Sequence, residues 1–344
     1  MATVDVTVRG AGAFGLSVAW ACIKAGALVR VIDPKGVAPG ASGGIVGALA
    51  PHVPEQWNPK KAYQLESLLM AADWWAEVEV AGGTSSGYAR TGRLQPIADD
   101  AALALAQTRA RGAETLWQGR AIWEVIAPPS DFAPRSPTGL LIHDTLSARL
   151  HPAQACAALA AAIIARGGEI AVDGRDEGHV VWATGWEGLE ALTARHTRMI
   201  GAGVKGQAVL LAYDARSAPQ LFVDGLHIIP HADGTTAIGS TTERDFEDPD
   251  TTDGQCDDLL AKARAAIPLL ADAAEVKRWA GVRPRSRTRA PMLGRHPFDN
   301  RQFIANGGFK IGFGMAPLAA EHLSRLILTG ENLIPPEFDP TASL

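Results

Sequence analysis

Residues 6–33, VTVRGAGAFGLSVAWACIKAGALVRVID, constrain the fold of this chain more than any other stretch. Valines alternate with other residues at its start, which predicts a short strand that ends at glycines. Residues 14–24 predict a helix, and residues 28–33 predict a second strand. A strand, a tight turn, a helix and a second strand in this order form a βαβ unit, whose two strands lie parallel in one sheet.

The glycines of this stretch indicate a ligand. Gly10, Gly12 and Gly15 stand in G-x-G-x-x-G spacing between strand and helix, and Asp33 ends the second strand. Such glycines allow a tight turn, close approach of the backbone to a pyrophosphate, and close packing of the helix on the strand. The helix N-terminus attracts phosphate, and a carboxylate at Asp33 can accept hydrogen bonds from an adenosine ribose. The stretch predicts a dinucleotide site, which by itself could take NAD or FAD.

A loop of small residues follows at 38–52, with the sequence APGASGGIVGALAPH. Glycine and alanine leave room for the backbone to approach a flat ligand closely. Ser42 has two interpretations: it bonds a phosphate, or it is an ordinary turn serine.

Composition excludes several classes of protein. The 344 residues are 47% hydrophobic and 20% charged, so a large core is expected, and the net charge of −5 argues against a general nucleic-acid binder. The longest apolar run, 155–165, falls short of the roughly 20 residues that span a bilayer, and no secretory signal is expected at the N-terminus. Cys22, Cys156 and Cys256 form no disulfide framework, so they predict small buried side chains in a cytoplasmic protein.

The order of predicted elements indicates two interleaved domains in an α/β fold. One is a Rossmann-like dinucleotide-binding domain, and the other is an α+β substrate domain with an antiparallel sheet. The first is assigned to residues 1–80, 140–200 and 279–344, and the second to residues 81–139 and 201–278. Further predicted elements are helices at 62–80, 100–112, 255–267 and 314–328, strands at 179–185, 206–212 and 226–240, and a turn at Asp233–Gly234.

The motifs, taken in order, resemble the D-amino-acid oxidase superfamily of FAD-dependent amine oxidoreductases, in particular its glycine oxidase, sarcosine oxidase and D-amino-acid dehydrogenase branch. The resemblance spans nearly the whole chain. The matching segments are GAGAFGLSVAW, ASGGIVGALAP, TGRLQP, LHPAQACAAL, VVWATG, KGQAVLL, HIIPHADGTTAIGSTTE, RWAGVRPRSRTRAPMLG and FIANGGFKIGFGMAPLAAEHLSRLIL.

The resemblance implies that the dinucleotide is FAD, with a substrate pocket over its isoalloxazine ring. It assigns the ADP half to the βαβ turn and the pyrophosphate and ribityl side to the following loop. Val172 is placed near the adenine, although the chain has only DGRDEG where the family usually has a hairpin. The implied cofactor-binding residues are Gly10, Gly12, Ala13, Phe14, Gly15, Asp33, Ser42, Gly43, Gly47, Ala48, Val172, Thr184, Gly185, Gly308, Gly312, Gly314 and Met315.

The resemblance also implies which residues meet the substrate. Arg283 stands where the family binds the substrate carboxylate, a task that suits a planar, bidentate and permanently charged group. Lys310 stands where glycine-oxidase-like members carry an Arg, and it would hold a carboxylate or place positive charge beside the flavin. His227 replaces a Tyr of the relatives, and His52 would face the flavin. Either histidine would contact substrate or tune its protonation.

Two further expectations concern charge and metals. Arg283, Arg285, Arg287 and Arg289 alternate with other residues. In an extended strand all four would point to one side, whereas Pro284 and Pro291 equally favour a loop. The hypothesis drawn from this strip is that the substrate carries a second anionic group. No His, Cys or acidic residues stand in metal-ligand spacing, so no metal is predicted, and His231 is expected at the surface.

The leading functional hypothesis is the oxidation of a small amino or imino acid to an imine, with O₂ or a quinone-type carrier as the electron acceptor. One alternative is a flavin enzyme that acts on modified tRNA, which the net charge disfavours. The other is a flavin-binding subunit that turns over only with a partner chain. No membrane span is expected, and assembly into a homo-oligomer is left open.

Overall fold

The computed structural model describes residues 4–344. Strands and helices alternate along this part of the chain. In order they are β1 (Val6–Arg9), α1 (Ala13–Lys24), β2 (Val29–Ile32), β3 (Ala48–Leu49), α2 (Pro59–Gly82), β4 (Arg93–Pro96), α3 (Asp100–Trp117), β5 (Trp123–Ile126), β6 (Leu141–Asp144), β7 (Ala148–Arg149), α4 (Pro152–Ala165), β8 (Glu169–Ala171), β9 (His179–Trp182), α5 (Gly185–Ala194), β10 (Gly201–Ala212), β11 (Gln220–Val223), β12 (Leu226–Pro230), β13 (Thr236–Gly239), α6 (Gln255–Ala266), β14 (Ala274–Ser286), β15 (Met292–His296), β16 (Asp299–Asn306) and α7 (Gly312–Thr329).

The predicted βαβ unit is confirmed. Val6 and Val8 of β1 are fully buried, as their alternation with polar residues predicts. β1 pairs in parallel with β2, in the register Val6 with Val29. Helix α1 begins at Ala13, directly after the glycine turn, and crosses from one strand to the other.

A six-stranded sheet extends this unit in the order β15-β16-β9-β1-β2-β8. All pairs are parallel except β15 with β16, which closes one edge as an antiparallel hairpin. Helices α1, α2, α4 and α7 pack together on this sheet, and Trp74 and Trp75 of α2 lie inside that core, as predicted.

The second sheet has eight strands in the order β14-β10-β13-β12-β11-β4-β6-β5. Its pairs are antiparallel except β11 with β4. The longest pairing joins β14 to β10 and places Arg283 opposite Val204. The turn predicted at Asp233–Gly234 connects β12 and β13.

The observed architecture is therefore α/β, with a largely parallel sheet interleaved with a largely antiparallel one. The exact domain boundaries stay a prediction. Strand β6 belongs to the eight-stranded sheet although it falls in the predicted 140–200 segment, and β14 crosses the predicted boundary at residue 279.

Other expectations are decided by burial. The three cysteines are buried and free, as predicted. The expectation that His231 lies at the surface is wrong: only 1% of this residue is exposed, because it packs against the ring of His151. Within residues 4–344, the structure contains no helix with the length and apolar character needed to cross a bilayer.

Candidate functional site

A cavity of about 720 Å³ lies between the two sheets. One end is formed by the turn after β1 and by Asp33, and the other by side chains of β12 and β14. A volume in this range suits a cofactor or small-molecule site. The predicted residues that line it are Gly10, Gly12, Ala13, Phe14, Asp33, Ser42, Gly47, Ala48, His52, Thr184, Gly185, His227, Arg283, Gly308, Lys310, Gly312 and Gly314.

The first end has a glycine cradle that no larger residue could form. Gly10 has φ +108°, and a Cβ there would lie 2.3 Å from the carbonyl oxygen of Ala183. A Cβ on Gly15 would lie 1.9 Å from the carbonyl oxygen of Gly10, so α1 approaches β1 as closely as backbone allows. The N-cap residue of α1, Gly12, offers no side-chain hydrogen bond, and no acidic residue lies in the first turn. Its amide groups are thus suited to phosphate.

Asp33 and Ser42 complete this end through hydrogen bonds to the turn. The amide of Ala11 donates to Oδ2 of Asp33 over 2.9 Å, and the amide of Lys35 donates to Oδ1 over 3.0 Å. The amide of Ala13 donates to Oγ of Ser42 over 3.0 Å. The carboxylate keeps lone pairs for ribose hydroxyls. The cradle, the open helix end and this acid together fit the ADP half of FAD.

Four predicted cofactor residues do not line the cavity. Gly15 acts through the packing of α1, and Gly43 ends a 3₁₀ turn, Ala41–Gly43, beneath the loop. Met315 is buried inside α7. Val172 directly follows β8 and is 61% exposed, so its proposed backbone contact with the adenine stays a prediction.

Arg283 dominates the other end of the cavity. Its Nη1 donates to Oγ of Ser240 over 2.6 Å, and its Nη2 donates to the carbonyl oxygens of Lys205 and Thr241 over 3.1 and 2.7 Å. Nε is buried and has no partner. Burial lowers the pKa of Arg283 to about 10, which still leaves it charged at neutral pH. No carboxylate of the described residues forms an ion pair with it.

Arg283 shares the phenyl ring of Phe309 with two more cationic side chains, Arg285 and Lys310. The charged groups of Arg283, Arg285 and Lys310 lie 5.6, 5.6 and 5.8 Å from the ring centre of Phe309. Nζ of Lys310 donates to Oγ1 of Thr242 over 3.2 Å. Burial, and then the charge of Arg283, lower the pKa of Lys310. This end of the cavity is therefore positively charged and suited to an anionic ligand.

The two predicted histidines lie at different places on the wall. His227 of β12 packs against Phe222 with ring centres 4.7 Å apart and ring planes inclined by 44°, and its Nδ1 is buried without a partner. Burial, followed by the charges of Arg93, Lys310 and Arg283, lowers the pKa of His227 to about 3, so its imidazole is neutral. His52 follows β3, and its amide donates to Oε1 of Gln64 over 2.9 Å. Burial also lowers the pKa of His52.

The arginine strip is divided by the end of β14 at Ser286. Arg283 and Arg285 lie in the strand. Arg287 lies beyond it and donates to the carbonyl oxygens of Ala342, Ser343 and Leu344. Arg289 has φ +64° and is exposed. The loop interpretation holds for the last two arginines, so only the first two can bear on the second-anion hypothesis.

Several residues of the cavity wall were not expected from the sequence, among them Arg93, Ser240, Trp279 and Phe309. Arg93 forms a buried ion pair with Asp144 over 3.0 Å. All four lie inside motifs that carry the family resemblance, so only those motifs could have pointed to them. Which residues of a motif face the cavity depends on strand register, which the motif alone does not specify.

Comparison with known proteins gives matches over most of the chain. A family model described as FAD dependent oxidoreductase, DAO, matches residues 5–326. A glycine oxidase of Pseudomonas aeruginosa is 34% identical over 134 residues, which are 39% of this chain and 37% of that protein. The chain thus spans well under half the length of this relative. A thiamine biosynthesis oxidoreductase assigned as ThiO in Rhizobium etli is 29% identical over 347 residues, covering 94% of this chain and 96% of that protein.

Solved structures match along the whole length. Glycine oxidase from Geobacillus kaustophilus has a TM-score of 0.82 at 20% identity and covers 98% of both chains. Iminodiacetate oxidase from Chelativorans sp. BNC1 has a TM-score of 0.81 at 23% identity and covers 97% of this chain and 98% of that one. At these identities the likeness shows the shared fold.

Proposed function

Because the chain belongs to the DAO family of FAD dependent oxidoreductases, we propose that it dehydrogenates the CH–NH bond of a small amino or imino acid to an imine. The observation that carries this proposal is the placement of Arg283. Its partly buried guanidinium lines the same cavity as the dinucleotide cradle and forms no ion pair with a carboxylate of the described residues. A small amine that carries a carboxylate matches this charge.

Bound FAD would supply the chemistry, since its N5 accepts a hydride from the carbon next to the substrate nitrogen. Gly10, Asp33 and Ser42 would hold its ADP and pyrophosphate portions. The second end of the cavity is left for the substrate, whose carboxylate would sit against the guanidinium of Arg283. A fixed carboxylate limits the orientations of the neighbouring carbon, and orientation contributes much of the rate in reactions of this kind.

The polar groups beside Arg283 support the same role. His227 is neutral, so it can exchange a hydrogen bond with a substrate amine or carboxylate without adding charge. Nearby positive charge from Arg283 and Lys310 disfavours a protonated substrate amine, and only the unprotonated amine can release a hydride from its neighbouring carbon. No side chain needs to act as an obligatory general base in this scheme.

The proposal is tested by mixing the FAD-loaded protein anaerobically with glycine, N-methylglycine, iminodiacetate and uncharged amines. We expect the carboxylated amines to bleach the visible flavin band in single turnover, while amines without a carboxylate react at least about 100-fold more slowly, the loss of roughly one charge-assisted contact. Admission of air with peroxide detection then distinguishes O₂ from a quinone-type acceptor. Bleaching by none of the carboxylated amines would contradict the proposal.

A further inference from the structure

A second cluster of chemically capable side chains lies outside the cavity. It consists of His151, which precedes α4, His231, which follows β12, and Asp233 in the next turn. One possible ligand atom from each of the three side chains lies within 4.8 Å of the other two. The fold thus brings His151 close to two residues that stand about eighty positions later in the sequence. None of the three lines the cavity.

Each imidazole has one buried nitrogen without a well-aligned hydrogen bond. These atoms are Nε2 of His231, a residue only 1% exposed, and Nδ1 of His151, although the backbone of Ile45 lies near the first ring and the backbone of His151 near the second. Buried polar atoms in folded proteins are almost always well paired, so two such nitrogens in one cluster require an explanation. The ring centres are 4.6 Å apart and inclined by 50°, so the rings are not stacked face to face.

The remaining contacts hold the cluster in place. Nδ1 of His231 lies 3.1 Å from Oγ1 of Thr235, which leaves Nε2 as the coordinating atom. Oδ1 of Asp233 accepts from the amide and hydroxyl of Thr235 over 3.0 and 2.6 Å, and Oδ2 accepts from Nε2 of Gln154 over 2.9 Å. Outer hydrogen bonds of this kind orient the ligands of metal sites.

We propose that Nδ1 of His151, Nε2 of His231 and a carboxylate oxygen of Asp233 bind a divalent transition-metal ion, with water as the fourth ligand. Two imidazoles and one carboxylate suit zinc, whereas magnesium and calcium prefer all-oxygen sites. Ligand atoms around tetrahedral zinc are about 3.4 Å apart, so the cluster tightens slightly on binding. Asp233 is exposed, which gives the ion and its water access from solvent.

The affinity is set by opposing charges. Asp233 supplies the one negative charge, while Arg149 lies close enough to oppose protonation of His231. Arg149 donates to the carbonyl oxygens of Gly87 and Arg216 and forms no ion pair with the cluster. We therefore expect a micromolar dissociation constant for zinc, weaker than that of a closed structural site.

The position of the cluster indicates what the ion does. His151 belongs to the start of α4, which packs with the helices of the six-stranded sheet, while His231 and Asp233 belong to the β12–β13 turn of the eight-stranded sheet. A bound ion would connect these two parts, and it should stabilise the fold.

The test uses untagged, FAD-loaded protein that has been treated with a chelator and dialysed against zinc, with bound metal counted by mass spectrometry. We expect one zinc per chain and a rise in Tm of several degrees. The variants His231→Asn and Asp233→Asn should weaken zinc binding at least tenfold, and Asp233 is exposed, so its variant is expected to fold. His179→Gln, an exposed histidine on β9, is the matched control and should behave as wild type. No zinc at 100 µM free ion, or equal zinc in Asp233→Asn, would overturn the proposal.

Discussion

Nη1 of Arg283 donates to Oγ of Ser240 over 2.6 Å, and this bond fixes a guanidinium whose Nε is buried and unpaired. Nη2 is held at the same time by two carbonyl oxygens. All these partners are uncharged. The strand pairing of β10 and β14 thus presents a partly buried positive charge in a fixed orientation, and a carboxylate ligand would neutralise it.

Arg283→Ala should raise KM for carboxylated amines by about 10- to 100-fold, since a charge-assisted hydrogen bond contributes about 1.5–3 kcal/mol. The control is Arg278→Ala on the same strand, whose guanidinium pairs at the surface with Asp257 and Glu275. Steady-state kinetics and Tm should be measured on both. An unchanged KM in a folded Arg283→Ala protein would refute the carboxylate contact.

Lys310 lines the cavity and lies on the same ring, that of Phe309, as Arg283, so a substrate with two carboxylates should gain from it. We expect kcat/KM for iminodiacetate or aspartate to exceed that for glycine, and Lys310→Gln to reduce that ratio about tenfold, the effect of losing roughly 1.4 kcal/mol. The control is Lys24→Gln, whose ion pairs lie on the outer surface. A clear preference for monocarboxylate amines in the wild type would end the second-anion hypothesis.

Asp33→Asn should weaken FAD binding by about 10- to 100-fold. The carboxylate has two acceptor oxygens for the turn amides and the ribose hydroxyls, whereas the amide of asparagine has only one. Titration of apoprotein with FAD, followed by flavin fluorescence, measures the change. Asp5→Asn is the matched control: Asp5 accepts from the amide of Leu28 over 2.8 Å at the opposite end of the same strands. Equal FAD affinity in both variants would remove Asp33 from the cofactor site.

Gly15→Ala should destabilise the protein by about 3 kcal/mol, the upper range for overpacking, because its Cβ would meet the carbonyl oxygen of Gly10 at 1.9 Å. Thermal unfolding should show a Tm about 6 °C lower, and FAD content should fall with it. Gly254→Ala is the control, since nothing lies within 4 Å of its added Cβ. The close packing of α1 on β1 would be disproved if the two variants were equally stable.

His227 should make stability depend on pH. Its folded pKa is about 3, while an unfolded histidine titrates near 6.5. Below pH 6.5 the unfolded chain binds a proton that the folded chain does not, so the free energy of unfolding falls as the pH falls towards 3. Between pH 7 and pH 5, His227→Gln should lose about 2 kcal/mol less stability than wild type. Urea unfolding at equal FAD concentration checks this. His179→Gln is the control, and an identical pH dependence in wild type and His227→Gln would contradict the burial argument.

Local patterns predicted the parts of the fold that depend on neighbouring residues. The glycine spacing and valine alternation predicted β1, α1 and β2 because strand period, helix capping and turn geometry act over a few residues. The helix at 100–112 was predicted in the right place, but the observed helix continues through Gly112 and ends at Trp117. The loop at 38–52 lines the cavity as its small residues suggested.

Features that depend on distant contacts were not predictable in this way. His231 was expected at the surface, but the ring that covers it comes from His151, eighty positions away. The side chain of Arg287 does not lie beside Arg283 and Arg285, because carbonyl groups at residues 342–344 accept its hydrogen bonds. The three cations gather on Phe309 only because β14 and the segment before α7 come side by side, a pairing recorded by the bridge between Arg285 and Gly308.

The chain passes between its two sheets four times: from β2 to β4, from β6 to β8, from β9 to β10 and from β14 to β15. A hybrid gene made with a relative by a single crossover would therefore mix strands of different parentage within at least one sheet. Exchange of the whole eight-stranded sheet between relatives would need matched crossovers at all four passages. Laboratory recombination in this protein should therefore succeed when crossovers are placed together at those four junctions, and it should fail when they fall within the sheets. The segments between the junctions are the natural units for exchange.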